Sequence, residues 1–170
     1  MISVIISWKG GDKAREDAFR NTLMCLAIQK NAPFEAVIVD QSIDGGEGLK
    51  KILLEFKGDK EFTNRVIHLA YQPAFNKSWC YNVGARNAKY NNLVFLDAET
   101  QFGATYLYSI LEESKKNKYL ICWTELILNV GKDMPLARRD NSNTFESMGG
   151  CFYFDKDYYF NGLRGMNENF

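Results

Sequence analysis

Histidine occurs once in this sequence of 170 residues, at His68. A histidine-based catalytic triad and a multi-histidine metal centre are therefore nearly excluded within it. Cysteine is sparse and scattered: Cys25, Cys80, Cys122 and Cys151 form no C-x-x-C and no paired spacing. Neither a zinc site nor a disulfide framework is supported, and the pattern reads as reduced, buried thiols. Long apolar runs are missing too. The opening MISVIISWKGG is too short and too β-branched for a signal peptide and has no basic start. No stretch approaches the roughly 20 apolar residues of a membrane helix. These absences predict a cytoplasmic protein, with peripheral attachment to the inner face of a membrane as the furthest departure. Net charge is also missing, since 21 basic residues balance 21 acidic ones. With no basic stripe interleaved with aromatics, nucleic acid is set aside as a partner. Proline is limited to three residues, and no repeat, low-complexity tract or linker divides the chain.

What remains is globular in character: 46% hydrophobic and 14% aromatic residues, enough for one domain with a sizeable core. The first two-thirds alternate strand and helix signals. Ile2 to Trp8 is a β-branched strand closed by Lys9-Gly10-Gly11, and residues 13 to 30 carry Ala14, Ala18, Leu23, Leu26 and Ala27 at helical spacing. FEAVIVD, ending at Asp40, is a second strand, and Glu47 to Phe56 a second helix. Arg65 to Ala70 predicts a third strand, with His68 in mid-strand as a satisfied core residue. A helix from Ser78, its N-cap, to Tyr90, the strand LVFL and a helix from Ala104 to Lys116 follow. Such alternation predicts a mostly parallel sheet covered on both faces, with the carboxyl ends of its strands on one edge. After Lys118 the pattern changes. Tyr119 to Leu128 reads as a long strand, followed by the polar loop GKDMPLARRDNSN and an aromatic strand, Glu146 to Phe154, interrupted by Gly149-Gly150.

LVFLDAET is the segment most suited to chemistry. A buried strand running into Asp97 and Glu99 delivers two hard oxygen ligands to the sheet edge where open α/β folds bind ligands. Their spacing suits a magnesium or manganese ion that also holds substrate phosphates, although a solvated loop would show the same pair. Asp40, also at a strand end, converges on that edge and could accept hydrogen bonds from a base or ribose. Lys77 and the backbone N–H groups opening the following helix could receive phosphate charge. Gly84, inside that helix, permits either close helix–sheet packing or close ligand approach, and Asn82 sits there against its propensity. Trp8, Trp79 and Trp123 could stack on a base or sugar, with core packing the better reading for most of them. Gly149-Gly150 suggests a bulge against which a sugar ring could lie. Arg138-Arg139 reads as a solvated pair.

Taken in order, SVIISWKG, FEAVIVDQS, FNKSWCYNVGARNAKYNNLVFLDAE and ESMGGCFYFDKDYYFNGLRGMNENF resemble the family 2 glycosyltransferases of the GT-A fold over essentially the whole chain. The resemblance implies a Rossmann-like α/β/α sandwich with a mostly parallel central sheet. It implies transfer of a sugar, with inversion, from a nucleotide-diphosphate donor (a UDP-sugar by family habit) to a saccharide, lipid or protein acceptor. Ser7, Trp8, Asp40, Lys77, Asn82 and Asp97 would then bind the nucleotide sugar, with Asp40 on the nucleobase. Asn82, Gly84 and Ala88 match an N-x-G-x-x-x-A helix. Asp97 and Glu99 match the D-x-D motif that holds a divalent cation, Mn or Mg, as a Lewis acid on the diphosphate. Gly149 and Gly150 would lie on the acceptor side.

The departures are specific. Glu99 replaces the second Asp, Tyr81 stands where many members carry Arg, Trp8 replaces Pro, and Asn167 replaces an Asp. The acidic pair that would supply the general base should follow the last segment, and the sequence stops at Phe170. This predicts a single nucleotide-sugar-binding domain over 1–170 that lacks the C-terminal part of the usual domain, with Glu168 as a weak candidate base. Two other readings stay open. One is a catalytically silent nucleotide-sugar-binding or partner module on the same fold. The other is a nucleotidyltransferase, for which the segment from Trp8 to Lys13 is only a faint phosphate loop.

Overall fold

The computed structural model describes residues 1–56, 63–121, 127–128, 137–138 and 150–169. The expected alternation is present: β1 (Ile2–Trp8), α1 (Lys13–Ala27), β2 (Phe34–Asp40), α2 (Glu47–Glu55), β3 (Thr63–His68), α3 (Lys77–Asn87), β4 (Asn92–Asp97), α4 (Tyr106–Ser114) and β5 (Tyr119–Ile121). After β5 come two short strands, β6 (Ile127–Leu128) and β7 (Ala137–Arg138), paired antiparallel with each other, then β8 (Cys151–Asp155) and a π-helical turn, Tyr158–Gly162. The expected strand from Tyr119 to Leu128 is thus seen at its two ends, and its middle, with Cys122 and Trp123, lies outside the described residues. So do Gly149 and Arg139.

Six strands form the main sheet in the order β3-β2-β1-β4-β8-β5. β1, β2, β3 and β4 pair in parallel, whereas β8 runs antiparallel to both β4 and β5. All seven residues of β1 and of β2 are buried, because helices cover both faces of a parallel sheet. Ile2, Val4, Ile6 and Trp8 point to one face, where Phe19 and Leu23 of α1, Leu49 and Ile52 of α2, and Leu107 and Ile110 of α4 pack. Ile5, Val37 and Val39 point to the other, against Cys80, Tyr81 and Ala85 of α3 and Tyr159 of the π-helical turn. Side chains alternate along a strand, so each strand feeds both cores.

Gly84 resolves in favour of packing. A Cβ at this position would lie 2.4 Å from Ile5 Cγ2 and 3.2 Å from Val39 Cγ2, so its absence lets α3 lie directly on the sheet. Chain order along the sheet reverses between β1 and β4: β2 and β3 continue on one side of β1, β4 begins the other. Open α/β sheets place ligands outside the carboxyl ends of the strands at such a switch point.

Candidate functional site

At the carboxyl edge the register brings the acidic residues level. Trp8 is paired with Asp40, Ser7 with Asp97, and Asp40 with His68. Asp40 and Asp97 flank β1 on opposite sides, about 10 Å apart at the backbone for two inter-strand spacings. The helices that follow β1 and β3 begin on this same edge. Asp12 caps α1, its carboxylate accepting from Arg15 N at 2.8 Å, and Asn76 caps α3, its side-chain oxygen accepting from Trp79 N at 2.8 Å. The cap of α3 is therefore Asn76 rather than Ser78, which moves Lys77 to the first helical position.

Between these elements lies a small open cleft of about 40 Å³, walled by Ser7 and Trp8 of β1 and Lys9 after it, Arg15 of α1, Phe75 and Lys77 at the start of α3, and Asp97 of β4 with Ala98 and Glu99 after it. Both acids of the pair are occupied by cations of the same chain. Lys77 Nζ contacts Asp97 Oδ1. Arg15 Nε donates to Glu99 Oε1 at 2.7 Å, with both side chains about two-fifths exposed. Tyr81 OH also donates to Asp97 Oδ1, at 2.8 Å, from beneath the cleft. Burial above all, with the charge of Asp97, pushes the Tyr81 phenol far above its usual range, so it acts as a permanent neutral donor.

The loop carrying Glu99 is held from two sides. Thr22 Oγ1 of α1 lies 2.7 Å from Ala98 O and 3.0 Å from Thr100 O. Gly150 O accepts from Asp97 N at 3.0 Å and from Thr100 Oγ1 at 3.1 Å. Gly150 thus sits directly beside the acid pair, as a scaffold for its backbone.

The other residues singled out from the sequence have different surroundings. Asp40 is buried with both oxygens engaged: Oδ1 accepts from Ser42 N and Ser42 Oγ at 2.9 and 2.5 Å, and Oδ2 lies 3.0 Å from His68 Nδ1. His68 is the last residue of β3 and half exposed, not a mid-strand core residue. Gly46 opens α2 at φ +89, and a Cβ there would fall 2.2 Å from His68 Cε1, so the His68–Asp40 pair is tightly roofed. Trp8 is buried and stacks on Phe19, with ring centroids 4.5 Å apart, while its indole N–H has no partner. Trp79 is half-buried on α3.

Asn82 stands away from the cleft floor. Its Oδ1 accepts from Tyr159 OH and from Met166 N, and its Nδ2 lies 2.8 Å from Met166 O and 2.6 Å from Glu168 Oε1. Asn76 Nδ2 donates to Glu168 O at 2.7 Å. Asn82 therefore ties the C-terminal segment to α3, and the Glu168 carboxylate is a partner in that tie.

Two contributors are not evident from sequence. Arg15 meets Glu99 across 84 positions of chain, which no local spacing reveals. One signal does exist: Arg15 and Lys77 are cations in the first turns of α1 and α3, where the helix dipole disfavours them. Tyr81 stands out in the sequence only as a departure from arginine.

The fold matches solved structures over nearly its full length. S. aureus TarS 1–349 is similar with a TM-score of 0.69, 16% identity, and coverage of 99% of this chain and 50% of that one. A mannosyltransferase, PcManGT from Pyrobaculum calidifontis in complex with GDP-Man and Mn2+, is similar with a TM-score of 0.68, 16% identity, and coverage of 99% and 48%. TarS 1–349 in complex with UDP-GlcNAc gives 0.67, 16%, and 98% and 48%. The chain has the GT-A fold. It spans about half the length of these proteins. No family model and no curated protein matches the sequence.

The acid pair meets the chemistry a divalent cation asks of its ligands. Asp97 and Glu99 offer hard carboxylate oxygens, and in each the second oxygen carries none of the bonds described above. Among the described residues no group of three or more His, Cys, Asp or Glu gathers around a point. Such a pair suits an ion that completes its shell with diphosphate oxygens and water.

Proposed function

We propose that this chain is the donor-binding part of an inverting glycosyltransferase that uses a nucleotide-diphosphate sugar, a UDP-sugar by preference, with a divalent cation. The observation that carries this reading is the cleft at the β1/β4 switch point. There the N-termini of α1 and α3, with Arg15 and Lys77, flank Asp97 and Glu99. Helix N-termini and fixed cations hold a diphosphate, and the adjacent carboxylates hold the ion that accompanies it. Support comes from the solved proteins of like fold, whose complexes contain UDP-GlcNAc or GDP-Man with Mn2+.

In this mechanism the acceptor hydroxyl attacks the anomeric carbon from the face opposite the diphosphate, its proton passes to a general base, and the bond from that carbon to the diphosphate oxygen breaks. Charge accumulates on the leaving diphosphate. Lys77 and Arg15 are placed to offset it, and a divalent cation on Asp97 and Glu99 would supply Lewis-acid neutralisation. Asp40 lies on the far side of β1, where the nucleobase would extend, and Ser7 and Trp8 form the floor between. Gly149 and Gly150 are assigned to the acceptor side. The reading gives Glu168 no role as base, because its carboxylate is held by Asn82. That same tie favours a second reading, a nucleotide-sugar-binding module without turnover.

Calorimetric titration of UDP, GDP and CDP with and without manganese, on wild type and Asp97→Ala, tests the proposal. Binding that strengthens with manganese and is lost in Asp97→Ala supports it. Absence of binding by all three nucleotides in every condition would refute both readings.

A further inference from the structure

Two carboxylates face the cleft, and both are already neutralised, Glu99 by Arg15 and Asp97 by Lys77, while the Lys9 ammonium donates to Pro73 O at 3.0 Å. A free divalent ion approaching the cleft meets no net negative charge. It also has to compete with a guanidinium on Glu99 and an ammonium on Asp97. A nucleotide diphosphate meets the opposite situation, because its charge is attracted to both cations and to the two helix N-termini behind them.

We infer that Arg15 and Lys77 are internal counter-ions that occupy Glu99 and Asp97 until a nucleotide diphosphate arrives, so that nucleotide and divalent cation enter together. The inference rests on the nucleotide-diphosphate reading above. Little free energy opposes the exchange. The Arg15–Glu99 pair is about two-fifths exposed on each side and uses only the Nε hydrogen, leaving the rest of the guanidinium fork for phosphate oxygens. Lys77 is similarly open, with its ammonium 5.6 Å from the Tyr81 ring centre and its side chain about two-fifths exposed. When both turn to the diphosphate, the carboxylate oxygens they leave become available to the cation. Tyr81 OH stays on Asp97 Oδ1 and keeps that carboxylate aimed at the cleft.

The test is a manganese titration followed by electron paramagnetic resonance, on wild type, Arg15→Gln and Arg15→Lys, first without and then with UDP. Without nucleotide, Arg15→Gln is expected to bind manganese roughly fivefold more tightly than wild type, the scale of one half-exposed ion pair. Arg15→Lys, which restores the charge, should return to the wild-type value, as a merely structural contribution of the guanidinium would not. In wild type, UDP should strengthen manganese binding more than it does in Arg15→Gln. Equal manganese affinity in wild type and Arg15→Gln, in a protein that still binds UDP, overturns this inference alone. Absence of UDP binding with or without manganese overturns the nucleotide reading and this inference with it.

Discussion

Tyr81 OH donates to Asp97 Oδ1 across 2.8 Å, joining the buried face of α3 to the end of β4. The ring is packed edge-on against Phe95 at 5.2 Å between centroids, so the hydroxyl has little freedom and the carboxylate inherits its position. A carboxylate at a strand end is thereby turned into an oriented ligand. Replacement of Tyr81 by phenylalanine should leave the fold intact, cost about 1 kcal/mol in urea denaturation, and weaken manganese-dependent nucleotide binding without abolishing it. An unchanged nucleotide affinity would show that Asp97 does not need this partner.

Gly84 supplies a test of the scaffold. Alanine is the better helix former, yet a Cβ at residue 84 would sit 2.4 Å from Ile5 Cγ2. Gly84→Ala should therefore destabilise by about 1–3 kcal/mol, as overpacking does, and not stabilise. A raised denaturation midpoint would mean that α3 can lift off the sheet at no cost.

Asn82 bonds to Tyr159, Met166 and Glu168 at once, the first bond buried and the others part-buried. Asn82→Ala should cost roughly 1–3 kcal/mol, since it strands the buried Tyr159 hydroxyl and removes the part-buried bonds to Met166 and Glu168. It should also raise hydrogen exchange across residues 163–169, whereas Lys77→Gln should leave that segment protected. Equal exchange in Asn82→Ala and wild type would show that Asn82 does not hold the C-terminal segment.

Alkaline pH should reveal the ionisable groups buried in the core between the sheet, α3 and the π-helical turn. Burial, reinforced by Asp40, pushes the Cys80 thiol from 9.0 to about 12, and burial pushes Tyr159 from 10.0 to about 12. Tyr81 is displaced in the same direction, first by burial and then by Asp97. All three bind their protons more tightly folded than unfolded. Stability should therefore be flat with respect to these groups below pH 9 and fall between about pH 9 and 12, where only the unfolded chain releases them. Urea midpoints measured at pH 8, 9.5 and 10.5 should decline in that order. A constant midpoint across the series would contradict the burial of these groups.

Much of this architecture is legible in the sequence, because strands buried on both faces and amphipathic helices impose strong periodic patterns. β1 and β2 match their expected bounds, and Asp40, Asp97 and Glu99 do share one edge, as parallel connections require. The α3 cap lies two residues before its expected place because Asn76 and Ser78 are both good caps, and only the backbone path chooses between them. His68 departs from its expected core position because β3 ends at it, and an edge strand leaves its last side chain half exposed. The pairings that define the site, Arg15 with Glu99 and Asn82 with Glu168, are not legible. They join residues 84 and 86 positions apart, and such contacts follow from the completed topology.

The central claim is that nucleotide diphosphate binds at the carboxyl ends of β1 and β4. Amide chemical-shift mapping during titration of UDP with magnesium addresses it most directly. The expected shifts cluster at Ser7 to Gly10, Asn76 to Trp79 and Asp97 to Glu99, and disappear in Asp97→Ala. Shifts gathered instead around Gly46, Asn64 and Val66, where α2 and β3 form a separate groove, or no shifts at all, would contradict it.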